Sequence, residues 1–69
     1  MDRNAINEIL KYGAGIYEMN IKGYSNKPVK VERLEKGFIA RRAPEGSYMV
    51  VTKYSESGVP IKQWCEKVK

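Results

Sequence analysis

Cationic side chains supply the densest chemistry in this chain of 69 residues. Lys22, Lys27, Lys30, Arg33, Lys36, Arg41 and Arg42 share one stretch with only Glu32 and Glu35 as acids, so residues 22–42 carry +5, the net charge of the whole chain. The flanks are nearly neutral, with −1 over residues 1–21 and +1 over residues 43–69. Ammonium and guanidinium groups at this density attract phosphates and carboxylates over a Debye length, about 8 Å at physiological salt. That is the chemistry of recognition and not of bond breaking.

If the fold gathers these groups on one surface, Lys27, Lys30, Arg33, Lys36, Arg41 and Arg42 become candidate contacts to nucleic acid or to an acidic protein or nucleoprotein surface. Phosphate binding of that kind weakens steeply with salt, with a slope near −0.9 per phosphate neutralised on duplex DNA. Aromatic rings add base stacking on single strands. Tyr24 and Tyr54 lie beside turns and near Lys27 and Lys53, and are expected to be exposed; Tyr17, Phe38, Tyr48 and Trp64 are expected in the core. Arg41 and Arg42 are adjacent, so strand alternation sends them to opposite faces. The plainer reading of the same residues is solvated Lys and Arg that maintain solubility and guard edge strands.

Other chemistries are poorly provided for. The chain has no His, which removes the usual general base and the commonest transition-metal ligand. Cys65 is the only cysteine, so no intrachain disulfide is available, and its expected role is that of a small buried hydrophobe. Ser25, Ser47, Ser55 and Ser57 all stand in turn contexts, where local hydrogen bonding explains them. Lys36, Gly37 and Phe38 open like the signature of the RNA-recognition motif, but Ile39, Ala40 and Arg41 break it. No enzyme activity, cofactor or metal is expected. A single cysteine and the absence of any long apolar run point to a soluble cytoplasmic protein without a membrane span.

A chain this short builds one domain and hides only about 60% of the surface its unfolded form exposes. Ile6, Ile9 and Leu10 recur at helical spacing, with Asp2 as N-cap and Gly13 placed for a left-handed C-terminal cap, which predicts a helix over residues 3–12. From Ile16 the period becomes two: Tyr17, Met19 and Ile21 fall on one side, Glu18, Asn20 and Lys22 on the other. After a turn over residues 25–28, Val29 and Val31 alternate with Lys30 and Glu32. Two further extended segments follow, over residues 38–43 and 48–54. Residues 59–68 fit either a strand entered through the loop at residues 55–58, or a helix with Ile61, Trp64, Cys65 and Val68 on one stripe.

These elements predict a single α+β domain over residues 1–69, with a short N-terminal helix on one face of an antiparallel sheet of three to five strands and a C-terminal segment that is strand or short helix. The expected function is a small non-enzymatic binding protein that engages nucleic acid or a nucleoprotein complex through residues 22–42. The alternative is a protein-binding inhibitor or adaptor, of the kind phages and mobile elements use against host nucleic-acid machinery, docking on an acidic groove of a larger partner. The small size also leaves a homodimer open.

Overall fold

The computed structural model describes residues 1–68. Helix α1 spans Arg3–Leu10 and is followed by strands β1 (Gly15–Met19), β2 (Val29–Arg33), β3 (Phe38–Arg41), β4 (Tyr48–Tyr54) and β5 (Pro60–Lys67). Every strand pairs antiparallel with its sequence neighbour, giving one sheet in the order β1-β2-β3-β4-β5. The C-terminal segment is therefore a strand.

Asp2 begins the helix as expected, its carboxylate accepting from the Ala5 amide at 2.8 Å. The helix ends earlier than residue 12: Lys11 caps it in right-handed geometry, and Gly13 does not take a positive φ. An arginine explains the early stop. The Arg33 guanidinium, on the core side of β2, donates to Leu10 O at 3.1 Å, to Gly37 O at 2.7 Å and to Leu34 O. It thereby satisfies an orphan carbonyl at the helix C-terminus and ties it to the turn between β2 and β3.

Alternation along the sheet decides its faces. Val31, Ala40 and Thr52 stand opposite one another across β2, β3 and β4, and all are buried. Beneath the helix, Ile6 and Ile9 close over Ile21, Val29, Val31, Phe38, Ala40 and Tyr54. Phe38 and Tyr54 stack with centroids 4.6 Å apart. Gly37 permits their approach: its φ is 84°, and a Cβ there would collide with the Tyr54 carbonyl oxygen.

The opposite face carries Lys30, Arg41, Val51 and Trp64 in register across β2 to β5. No helix covers it, yet Val51 is 0% exposed. Arg41 on β3 donates to Glu32 on β2 at 3.0 Å and to Glu66 on β5 at 3.2 Å. These pairs link β2 and β3 to β5 across the intervening β4, where Val51 stands in register between Arg41 and Trp64.

Candidate functional site

A meander alternates its turns between two ends of the sheet, and that separates the cations. Lys22 and Lys27 lie in the β1–β2 connection and Arg42 just after β3, at one end; Lys36 lies in the β2–β3 turn at the other. Lys53, on the helix-free face of β4, stands opposite Lys62 near that second end. Arg33 is committed to backbone carbonyls under the helix. Arg41 is ion-paired on both sides, and its guanidinium pKa is raised first by the hydrogen bond to Glu32 and further by Glu66. Arg41 and Arg42 do face opposite ways: Arg42 lies at the rim of the core with its guanidinium 4.4 Å from the Tyr24 ring centroid.

The structure thus brings Lys27, Lys30 and Arg42 around one end of the sheet and distributes the rest. There, on the helix-free face, is an open groove of about 800 Å³. Its apolar surface comes from Ile16 on β1, Pro28, Ala43 and Pro44 in the two connections, Met49 on β4 and Val68 after β5. Lys27, Lys30 and Arg42 border it, as does Glu18, which stands directly opposite Lys30 in the strand register. Neither Lys27 nor Lys30 has an ion-pair partner among the described residues. The Arg41–Glu32 pair forms a fixed wall, whose far anchor is Glu66. The Trp64 indole N–H donates to Glu66 at 3.2 Å and, with Arg41, holds this carboxyl below its ordinary pKa.

Several side chains lie elsewhere than their sequence context suggests. Tyr54 is 6% exposed, because β4 alternation places it under the helix against Phe38, opposite in direction to Lys53. Burial first, and the neighbouring Tyr24 hydroxyl second, push its phenol pKa up to about 12. Tyr24 is half-buried between Arg42 and the edge of the core. Tyr48 is exposed because the helix does not extend over that end of β4, and Trp64 is only half-buried because it projects from the helix-free face. Cys65 projects from the helix face of the edge strand β5 and is exposed because the helix layer does not reach that strand.

The groove's apolar floor had one sequence signal. Ile16 precedes the alternating run and falls in phase with Glu18 and Lys30, an apolar residue on the polar side of its sheet, and it is 70% exposed. Met49, Pro44 and Val68 gave none, since only the β4–β5 register brings Val68 beside Met49. Among the described residues no three His, Cys, Asp or Glu side chains come together as a metal site, and no helix is long and apolar enough to cross a membrane. Compared with protein-family models, curated proteins and solved structures, the chain matches none of them.

Proposed function

We propose that this chain is a non-enzymatic protein-binding module whose helix-free groove receives an acidic, partly apolar segment of a partner protein, in the manner of an inhibitor or adaptor. The observation that carries the reading is the composition of the groove: an apolar floor centred on Ile16 and Met49, bordered by Lys27 and Lys30, which have no ion-pair partner among the described residues. An apolar floor favours partner side chains that leave water, while cations at the rim raise the rate of encounter and select acidic partners. Nucleic acid would use the same cations differently. It would draw on the basic stretch as a whole, whereas Arg33 is engaged with backbone carbonyls, Arg41 with Glu32 and Glu66, and the remaining cations are divided between the two ends of the sheet.

The test is affinity capture from the native host with nuclease present, using the wild-type chain, Ile16→Asp and Lys30→Glu. One protein recovered stoichiometrically by the wild type and lost with both variants, each still folded by circular dichroism, is the expected result. Capture that disappears with nuclease, or tight binding of generic DNA or RNA at ~50 mM salt, where electrostatic association is strongest, would overturn it in favour of a nucleic-acid target.

A further inference from the structure

The outer edge of β5 is unpaired among the described residues, and its sequence is complementary to itself. Lys62, Trp64 and Glu66 project from the helix-free face, with Lys62 two residues before Trp64 and Glu66 two residues after it. Reading a second copy antiparallel about Trp64 sets each Lys62 opposite the other copy's Glu66. Backbone polarity agrees with this register. The Val68 amide donates to Ser47 O at 2.8 Å, so Val68 and Ser47 are a hydrogen-bonded pair. By alternation Lys62, Trp64 and Glu66 direct their backbone groups to β4, while Gln63 and Cys65 direct theirs outward.

We infer that two copies of this chain associate edge to edge through β5, about a two-fold axis at Trp64, to form one continuous antiparallel sheet. Gln63 of each copy then exchanges backbone hydrogen bonds with Cys65 of the other. The two Trp64 side chains meet at the axis, and a Lys62–Glu66 pair forms on either side of them, in the close non-hydrogen-bonded positions where cross-strand side chains interact most. A shift of two residues in either direction loses both ion pairs, setting Lys62 against Trp64 or Glu66 against Trp64. Lysine on an edge strand ordinarily deters such pairing, but here each Lys62 is answered by an acid. Arg41 and the Trp64 indole hold Glu66 on the face where the incoming Lys62 arrives. The helix closes on β2, β3 and Tyr54 of β4 and reaches the β4–β5 turn through Arg3 at Ser57 O, while Gln63 and Cys65 stay exposed, so it does not obstruct this edge. The bulge between β4 and β5 at Lys53 and Tyr54, which leaves Ile61 without a partner, ends the pairable stretch.

Sedimentation equilibrium over a rising concentration series should show the mass moving from 7.9 kDa toward twice that value. Lys62→Glu should weaken association roughly tenfold, since it replaces two attractive cross-strand pairs by two repulsive ones. Mild oxidation of Gln63→Cys, which opposes each new thiol to Cys65 of the other copy, should give a disulfide-linked dimer faster than oxidation of the wild type. A chain that stays monomeric throughout the series overturns the inference. So does cross-linking through Cys65 alone that equals the Gln63→Cys rate, since that would place the axis elsewhere.

Discussion

At the end of β2 the Arg33 guanidinium donates to three carbonyl oxygens, those of Leu10, Leu34 and Gly37, and so joins the helix to the sheet. Hydrogen bonds from a charged donor contribute about 1.5 to 3 kcal/mol, and loss of this one leaves partly buried carbonyls unserved. Arg33→Met is therefore expected to lower the unfolding free energy by at least that amount in urea titrations. Arg33→Lys should recover only part, because a single ammonium cannot reproduce the fork. Tyr54 makes a pH-dependent contribution. Its folded-state pKa is raised, so the contribution is complete below its ordinary value of 10.0 and is lost as pH rises to about 12. Alkaline unfolding followed by circular dichroism should show this loss, and Tyr54→Phe, which keeps the ring on Phe38, should flatten that part of the profile. The same two residues mark a limit of the sequence. A charge count sees Arg33 as a free cation and a turn-adjacent Tyr54 as exposed, because neither reading contains the partner that the fold provides.

Among the elements, the strands with clean alternation were legible beforehand: Val29–Arg33 and Tyr48–Tyr54 follow from their own side chains, as does the helix around Ile6 and Ile9. Strand β5 was legible as one of two readings, strand or helix, and the spacing of its apolar residues explains why. Ile61, Trp64, Cys65 and Val68 recur at helical spacing, whereas in the strand Trp64 and Cys65 point to opposite faces and Ile61 falls in the bulge. The hairpin through Gly58, with φ of 84°, places the segment beside β4 and settles it as a strand. The turn before β3 is equally exacting. Gly37 and Gly46 both have positive φ, but an added Cβ at Gly46 meets nothing within 4 Å, whereas at Gly37 it meets the Tyr54 backbone. Gly46→Ala should cost about 1 to 2 kcal/mol from backbone geometry alone, and Gly37→Ala clearly more, in parallel denaturant titrations. The groove was legible only in Ile16, since its other walls come from connections and chain segments that meet through long-range register.

Taken whole, the molecule is a single sheet with two unequal sides. The helix covers the larger apolar cluster, while the other side protects a lone valine under a bridge of paired charges and leaves the remainder open. The basic stretch is continuous in sequence and discontinuous in space, because a meander sends successive turns to opposite ends. This geometry also bears on how the protein is attached to a support. Val68 borders the groove, so a resin, fluorophore or sensor chip tethered close to Val68 crowds the opening. Met1 packs with the helix layer on the far side, and attachment there leaves the opening clear. Capture from the helix side should therefore retain a groove partner that capture from beside Val68 loses.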